Sequence, residues 1–423
     1  MSDQHYMARA IRLAARGIYT THPNPNVGCV IVNDGEVVGE GWHRQAGGPH
    51  AEVFALQQAG QHARGATVYV TLEPCSHHGR TPPCADALVA AGVSRAVVGM
   101  QDPNPRVAGR GVQRLQDAGI AVQDGLLESQ VRALNPGFIS RMQRRRPWVR
   151  VKLAASLDGR TAMASGESKW ISGAAARQDV QRLRARSSAI LTGIGTVLAD
   201  DPALNVRLDA QQLYGVEPLR QPLRVVLDPD LRTPAGARVI DGTAPALLCH
   251  REGLAVPTHI DAASVDCLDL PSGEGGLALA PLFEELARRQ CNEILLESGP
   301  RLAGHMLRAG YLDELIVYQA PVLMGSRANP LLELPLDSMA EAVRFRPFGL
   351  PGAPLSPVAS GRLRHWLIMS ASFSLDSLPL TFSRWYPSET VILAWGGHIA
   401  GRDEWGFLPN GDPRSAGGIS GSP

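Results

Sequence analysis

The feature that most constrains this chain is a set of four side chains in two short motifs. His50 and Glu52 stand two positions apart, and Cys75, which follows Pro74, is separated from Cys84 by eight residues. One imidazole and two thiolates can hold zinc and leave its fourth position open to water. Glu52 need not bind the metal and is close enough to move a proton. The motifs therefore predict a zinc centre that activates water to displace an amino group, the chemistry of a deaminase.

Two other interpretations of the same residues stay open. A closed structural zinc site would need a fourth protein ligand, for which His43, His77 and His78 are the candidates. Alternatively, the four residues are core residues without any metal. The cysteines are also farther apart than in the general zinc-deaminase signature, in which two residues separate them. The longer loop is therefore expected to have a further role.

Local sequence patterns place both motifs at helix starts. Apolar residues at helical spacing over 50–62 predict a helix whose first turn carries His50 and Glu52. The pair Pro82 and Pro83 predicts a second helix start at Cys84. The positive end of that helix would favour the Cys84 thiolate.

The alternation of helix and strand patterns predicts two α/β domains. In the first half we expect a helix over 3–16, a hairpin of strands 27–32 and 36–39, strands 66–71 and 95–100, and a helix–strand unit over 109–122. In the second half we expect strands 147–154, 189–192, 223–227, 293–297 and 314–318, and helices 174–185 and 277–289. The basic stretch Arg141–Pro147 is interpreted as an exposed linker and domain boundary.

Glycines follow two of the predicted strands in the second half. Gly193–Gly195 and Gly299–Gly304 lie where backbone amides at a helix start can hold phosphate. Neither is a complete dinucleotide-binding motif. Taken alone, each is more often a tight strand-to-helix turn.

Composition limits the partners. Lys plus Arg number 41 and Asp plus Glu 40, so no overall field recruits a polyanion, and a small-molecule substrate without nucleic acid is expected. Beyond the motif, the cysteines are scattered and form no disulfide framework, which favours a reducing cytoplasm. The first sixteen residues lack a secretory pattern, and no apolar run reaches membrane-spanning length. We therefore expect a cytoplasmic protein without a membrane partner.

The chain resembles the bifunctional riboflavin-biosynthesis deaminase–reductase family of bacteria over about residues 1–371. A series of motifs carries this resemblance, and they follow one another in the family's order. They are Thr21–Gly28, Pro49–Glu52, Thr71–Cys84, Asp102–Pro105, Ser156–Arg160, Asp200–Pro202 and Glu297–Pro300. The resemblance implies a cytidine-deaminase-like α/β/α sandwich over 1–146 and a dihydrofolate-reductase-like α/β domain over 147–371. It also implies zinc-dependent hydrolytic deamination of 2,5-diamino-6-(5-phosphoribosylamino)pyrimidin-4-one. Reduction of the ribosyl group of the product to ribityl would follow, with NADPH as cofactor.

The resemblance also implies roles for individual residues. In the first domain, His50, Cys75 and Cys84 match zinc ligands, and Glu52 matches the catalytic proton shuttle. The positions that match substrate contacts in the deaminase pocket are Asn24, His43, His77 and Arg80. Those that match substrate contacts in the reductase half are Lys152, Ser168, Arg184, Leu204, Arg207 and Glu297. The positions that match the cofactor site are Ala154, Trp170, Thr196, Asp200, Thr233, Gly299, Pro300, Arg301, Leu302, Ala303, Gly304 and His305. A surface polar residue is the alternative for each deaminase-pocket position.

The last part of the chain departs from the family. Residues 372–423 contain Trp385, Trp395 and Trp405 and end in a Gly/Ser/Pro-rich stretch. A packed extra segment and an atypical reading frame both remain open for this tail, whose role is unassigned. For the whole protein, a polynucleotide deaminase and a non-enzymatic zinc-stabilised binding module are the rival classes. A homo-oligomer is expected.

Overall fold

The structure is a computed structural model that describes residues 1–76, 83–105, 107–169, 171–209, 211–213, 220–260, 264–347, 362–369 and 391–394. It shows two α/β units, each built on its own sheet. No helix among the described residues combines the length and the apolar character needed to cross a membrane.

The N-terminal unit has a five-stranded sheet with helices on both faces. Its strands are β1 (Gly28–Asn33), β2 (Glu36–Trp42), β3 (Thr67–Val70), β4 (Arg95–Val98) and β5 (Ala121–Gln123). Its helices are α1 (Asp3–Ala15), α2 (Ala51–Ala59), α3 (Cys84–Ala90), α4 (Arg110–Asp117), α5 (Glu128–Leu134) and α6 (Pro136–Arg144). The strand order is β2-β1-β3-β4-β5, antiparallel up to β3 and parallel from β3 to β5. Buried residues of α2, α3 and α4 pack on one face, and those of α1 pack on the other, which confirms the predicted α/β/α sandwich.

Two glycines let α2 approach the hairpin of β1 and β2 closely. A Cβ atom on Gly39 would lie 2.2 Å from the carbonyl oxygen of Ala55, and one on Gly41 would lie 2.2 Å from that of Ala51. Any side chain at these positions would push the helix away, because such distances are far inside van der Waals contact. The start of α2 is thereby held at a fixed place over the sheet.

The C-terminal unit has a ten-stranded sheet in the order β11-β10-β9-β8-β14-β6-β15-β18-β17, with β19 antiparallel to β18. The strands are β6 (Trp148–Ala155), β7 (Arg160–Ala162), β8 (Ala189–Gly193), β9 (Leu223–Leu227), β10 (Ala246–Arg251), β11 (Val265–Leu270), β12 (Ser272–Gly273), β13 (Gly276–Leu277), β14 (Glu293–Leu296), β15 (Glu314–Gln319), β16 (Asn329–Pro330), β17 (Arg346–Pro347), β18 (Arg362–Met369) and β19 (Val391–Ala394). The helices are α7 (Ala174–Arg186), α8 (Ile194–Asp200), α9 (Leu279–Arg288) and α10 (Pro300–Arg308). Separate apolar clusters cover the two faces of this sheet.

Strands β10 and β11, which were not predicted from the sequence, extend the sheet. β10 is buried over five of its six residues and pairs in parallel with both β9 and β11. A parallel strand covered on both faces has a continuous apolar run instead of an alternating one. Periodicity cannot distinguish such a run from a short buried helix. β19 falls within the stretch 372–423 and adds an edge strand to β18.

The stretch Arg141–Pro147 is exposed at 143–145, as expected, but it is not a free linker. Helix α6 continues to Arg144, whose Nη1 donates to Asp313 Oδ1 at 2.7 Å. Arg146 Nη2 donates to the same oxygen at 3.0 Å, and only 18% of the Arg146 side chain is exposed. The basic stretch therefore anchors the two units to each other. Its partner, a buried carboxylate far away in the sequence, could not be seen from local composition.

A buried ion-pair network lies at the start of the central strands of the second sheet. Arg150 is 1% exposed and donates to Glu293 at 2.8 Å and to Glu314 at 2.9 Å. Arg186 adds two hydrogen bonds to Glu293. Burial raises the pKa of Glu293, but attraction to Arg186 and Arg150 outweighs it and lowers the pKa to about 2. The carboxylate is therefore ionised at neutral pH.

Replacing Glu293 with Gln should destabilise the protein by about 3 kcal/mol, because Arg150 and Arg186 lose a buried counter-charge. The measurement is the free energy of unfolding in urea. Because the pKa of Glu293 lies below its ordinary 4.5, the difference from the wild type should be full above that pH and shrink as the pH falls towards 2. Glu128→Gln, which breaks a pair about half exposed on the surface of α5, should cost less than about 0.5 kcal/mol. Equal losses would contradict the interpretation.

Candidate functional site

The two sequence motifs meet at the starts of α2 and α3. His50 is the N-cap residue of α2, one position before the helix begins, and Cys84 is the first residue of α3. His50 Nδ1 lies 3.2 Å from Cys84 Sγ and 3.6 Å from Cys75 Sγ. All three ligand atoms lie within 4.8 Å of one another. The structure thus brings together the three predicted metal ligands.

This donor set fits zinc. In a tetrahedral site with Zn–N of about 2.0 Å and Zn–S of about 2.3 Å, neighbouring ligand atoms are about 3.5–3.8 Å apart, close to the two separations found here. The hydrogen bond with Cys84 is the largest influence on Cys75; together with His50 it outweighs burial and lowers the pKa of Cys75 to about 4. These contacts favour the thiolate form of Cys75, which is the form that binds a metal. The Cys84 thiol, whose pKa is raised by that same hydrogen bond and by burial, must release its proton on metal binding.

Glu52 lies beside the ligands without belonging to them. It is 3% exposed, and its Oε2 has no hydrogen-bond partner among the described residues. Burial raises the pKa of Glu52, and the positive charge on His50 opposes that change. A buried carboxylate oxygen without a partner is costly, so such an atom indicates a place where a ligand or water binds. Glu52 is therefore positioned to exchange protons at the metal site.

His43 and Asn24 form a fixed pair next to His50. The rings of His43 and His50 meet edge to face at 5.5 Å between centroids. His43 Nδ1 lies 3.0 Å from the carbonyl oxygen of Pro49, and His43 Nε2 lies 3.1 Å from Asn24 Nδ2. Since a carbonyl only accepts, Nδ1 donates and Nε2 accepts, so His43 is neutral. Burial, which lowers the pKa of His43, agrees with this state. Both ring nitrogens are engaged, so His43 is not a fourth zinc ligand.

Glu73 was not among the predicted site residues, yet it supports the cysteine loop. Its carboxylate accepts hydrogen bonds from the backbone N–H groups of Asp102, Gly109, Gly111 and Val112, at 2.8–3.2 Å. These bonds fasten the start of α4 to the strand end that leads into Cys75. The acidic residue directly before Pro74 and Cys75 was the available signal. Its partners, however, are backbone groups that no sequence pattern shows.

The reductase residues gather at the carboxyl ends of the central parallel strands. Arg184 and Glu297 form a two-pronged ion pair with N···O distances of 2.6 and 2.9 Å. Lys152 lies on β6, next to the strand that ends before Glu297, and its pKa is lowered by burial and by Arg184 while Glu297 opposes the shift. In open α/β sheets, ligands bind outside these strand ends. The carboxylate and the two cations thus form a polar site where a ligand is expected.

Other predicted reductase residues differ in accessibility. Leu204 is 1% exposed and packs into the core, so only its backbone can face a ligand. Thr233 is also buried and donates twice to Asp228 Oδ2 at 2.7 Å. Within the predicted cofactor stretch, Ala303 and Gly304 face the protein interior. The more accessible predicted residues, at least partly open to solvent, are Ala154, Ser168, Thr196, Asp200, Arg207, Gly299, Pro300, Arg301, Leu302 and His305.

Three predicted residues lie outside the described residues. They are His77 and Arg80 of the loop between the two cysteines, and Trp170 of the cofactor set. His78, an alternative zinc ligand, and the tail residues Trp385, Trp395 and Trp405 also lie outside the described residues.

The fold and the two sites define a zinc-binding deaminase joined to a second catalytic unit. Residues 1–100 match the family described as the cytidine and deoxycytidylate deaminase zinc-binding region, and residues 147–347 match the RibD C-terminal domain. The riboflavin biosynthesis protein RibD of Escherichia coli (strain K12) is 55% identical over 352 residues, which cover 82% of this chain and 95% of the relative. The RibD of Haemophilus influenzae is 50% identical over 346 residues, covering 80% of this chain and 92% of the relative.

Solved structures give the same result. Acinetobacter baumannii RibD has a TM-score of 0.74 at 48% identity and covers 81% of this chain and 94% of its own. The Thermotoga maritima diaminohydroxyphosphoribosylaminopyrimidine deaminase/5-amino-6-(5-phosphoribosylamino)uracil reductase has a TM-score of 0.71 at 34% identity, covering 81% and 93%. The chain belongs to the RibD family of riboflavin biosynthesis proteins. It is a bifunctional enzyme, a zinc-dependent pyrimidine deaminase and an NADPH-dependent reductase, which confirms the predicted fold class, activities and cofactors.

Replacing Gly111 with Ala should weaken zinc binding about ten- to a hundredfold, as changes behind metal ligands commonly do. The new Cβ would lie 1.9 Å from the carbonyl oxygen of Pro74, next to Cys75. Competition with a chelator measures the affinity. Gly236→Ala is the matched control, because a Cβ there meets nothing within 4 Å, and its zinc affinity should equal that of the wild type. Unchanged affinity in Gly111→Ala would show that Pro74 does not hold the ligand in place.

Proposed function

We propose that the deaminase reaction takes place at His50, Glu52, Cys75 and Cys84, and the reductase reaction at the strand ends around Lys152, Arg184 and Glu297. The substrate of the first site would be 2,5-diamino-6-(5-phosphoribosylamino)pyrimidin-4-one. Its product would be reduced at the ribosyl group in the second site. The observation that carries the first assignment is the unpartnered Glu52 oxygen beside three ligand atoms with zinc spacing.

In the deaminase site, His50, Cys75 and Cys84 would hold the metal. Zinc bound there supplies Lewis-acid activation of water. Glu52 would take a proton and return it to the ring nitrogen and the leaving amine, for which its buried, unpartnered oxygen is suited. A raised pKa, caused first by burial, makes the carboxylate a better proton acceptor than an exposed glutamate.

Substrate orientation would depend on His43 and Asn24, whose mutual hydrogen bond fixes both side chains. Of the loop between the cysteines we propose that His77 also contacts the substrate and that Arg80 binds its phosphate, since a guanidinium suits a phosphate group. These two assignments rest on the match to the family motif.

In the reductase site, NADPH supplies the hydride when bound. Gly299, Pro300 and Arg301 lie at the N-terminal, positive end of α10. This end suits a phosphate group of the cofactor. Arg184 and Arg207 would hold the substrate phosphate. Glu297 orients Arg184 through their two hydrogen bonds. Lys152 would polarise or bind the sugar while its ring is open, because a hydride reaches the anomeric carbon only in the open form.

We also propose the division of the chain into a deaminase domain over 1–146, a reductase domain over 147–371 and an additional segment over 372–423. A cytoplasmic location and a homo-oligomeric state complete the proposal, with small molecules as partners instead of nucleic acid or membrane. The formal charge of +1 supports the small-molecule assignment.

Replacing Glu52 with Gln should lower ammonia release by about a hundredfold or more, since loss of a positioned general base costs that much. Zinc content and NADPH oxidation on supplied deaminated substrate should stay unchanged. Glu36→Gln, an exposed carboxylate on the same sheet, is the matched control and should leave both rates unchanged. If both activities vanish together in Glu52→Gln, the division into two sites is wrong.

The reciprocal change is Lys152→Met, which keeps most of the apolar stem and removes the charge. Reduction should fall by about a hundredfold or more, in the range seen when a charge-stabilising donor is lost. Deamination should be unaffected. Following ammonia release and NADPH oxidation in parallel measures both effects. A reductase that works normally without this ammonium group would exclude Lys152 from the site.

A further inference from the structure

The segment that carries Asn24 is held by the reductase domain. Asn292 Nδ2 donates to the carbonyl oxygen of Pro23 at 3.0 Å. Arg141, on α6 of the N-terminal unit, donates to the same oxygen through Nη2 at 3.2 Å. One residue farther along, Asn24 contacts His43. One residue earlier, His22 Nδ1 lies 3.0 Å from Ser188 Oγ. The segment therefore touches the reductase domain at two successive residues and the deaminase pocket at the third.

The contact between His22 and Ser188 is directional. Ser188 Oγ accepts the backbone N–H groups of Asn292 and Glu293 at 2.8 and 3.1 Å. Its own proton therefore points to His22 Nδ1, which requires a neutral imidazole. Burial, with Arg220 and Arg141 nearby, lowers the pKa of His22 to about 3. The imidazole is thus neutral near neutral pH and can accept the Ser188 proton.

Asn292 itself has no freedom to turn. It is 8% exposed, and its Oδ1 accepts from Arg141 Nε at 2.7 Å. Because a guanidinium only donates, the amide oxygen must face Arg141 and the amide nitrogen must face Pro23. The Asn292 carbonyl accepts from Trp148 N at 2.8 Å. Because the Asn292 side chain has one orientation, it holds the carbonyl group of Pro23 in one place.

We propose that Asn292, a residue of the reductase domain, is a positioning residue for deamination, which it serves by holding Pro23 and hence Asn24 at the deaminase pocket. The inference rests on the proposed role of Asn24 as a substrate contact. The backbone of Asn24 is itself restrained, because its N–H donates to the carbonyl oxygen of Thr21 at 2.7 Å. The reductase domain would then be needed to set the deaminase pocket.

The proposal can be tested in the full-length, zinc-loaded enzyme with Asn292→Asp. This change keeps an acceptor for Arg141 and replaces the donor that faces Pro23. The KM for deamination should rise about tenfold with little change in kcat, since a misplaced substrate contact weakens binding. Zinc content and the reduction rate should stay within about twofold of the wild type, because Asn292 and Glu297 lie at opposite ends of β14, about 16 Å apart along the strand. Asn292→Ala should act in the same direction.

The control is Asp313→Asn. It weakens the same domain junction at Arg144 and Arg146 but makes no contact with Pro23. Both activities should stay within about twofold of the wild type. An equal rise in the deamination KM in this variant would mean that any loosening of the junction has the effect, and would overturn the proposal. So would an Asn292→Asp enzyme with unchanged deamination, or one in which both activities fall together.

A double variant separates this inference from the role of Asn24. If Asn292 acts through Asn24, Asn292→Asp should cause no further loss in an Asn24→Ala background. Losses that multiply would overturn the coupling while leaving Asn24 as a substrate contact. If Asn24→Ala alone leaves deamination unchanged, the proposed role of Asn24 fails, and the coupling fails with it.

Discussion

The close approach of α2 to the hairpin of β1 and β2 is the constraint on which the deaminase site depends. The glycines at positions 39 and 41 allow the carbonyl groups of Ala51 and Ala55 to lie where side chains would otherwise stand. Because α2 cannot shift outwards without losing this contact, its first residues have one position over the sheet. His50 as N-cap and Glu52 in the first turn are therefore placed by backbone packing, since His50 makes no side-chain capping hydrogen bond to the helix.

Buried carboxylates fix further parts of both units through hydrogen bonds to backbone groups and arginines. Glu73 binds four backbone N–H groups, Glu293 binds two arginines, and Asp313 binds two more together with the backbone of Val149. Each of these groups would be costly to bury alone and is stable only because its partners are complete. Such groups add specificity of geometry more than net stability. In this protein Glu73 lies between the end of β3 and the cysteine loop, whereas Glu293 and Asp313 lie at or directly before the starts of β14 and β15.

The sequence predicted what local patterns and short motifs can show. Helix starts at Cys84 and near His50, the hairpin, and most parallel strands followed from periodicity and turn residues, and the metal ligands followed from residue type and spacing. β10 was missed because a strand buried on both faces loses its alternation. β11 was missed because its two buried residues, Val265 and Leu270, are five positions apart and show no alternation. Glu73 and Asn292 were missed for another reason: their function lies in bonds to partners 29 or more positions away. Sequence patterns record periodicity, but they do not record which distant backbone group a polar side chain binds.

The geometry of the junction also bears on how the two reactions are connected. Asn292 and Ser188 lie at the beginnings of β14 and β8, whereas Lys152 and Glu297 lie towards the opposite ends of their strands. Between the junction and the reductase site stand central strands covered by apolar residues on both faces. The cavity at the junction, lined by Asn24 and Asn292 among others, has a volume of about 30 Å³, room for about one or two water molecules. A phosphorylated pyrimidine riboside is far larger than this cavity, which therefore cannot hold the intermediate. The contacts of Asn292 with the Pro23 segment are the part of the junction that our proposal uses, to set position and not to carry substrate.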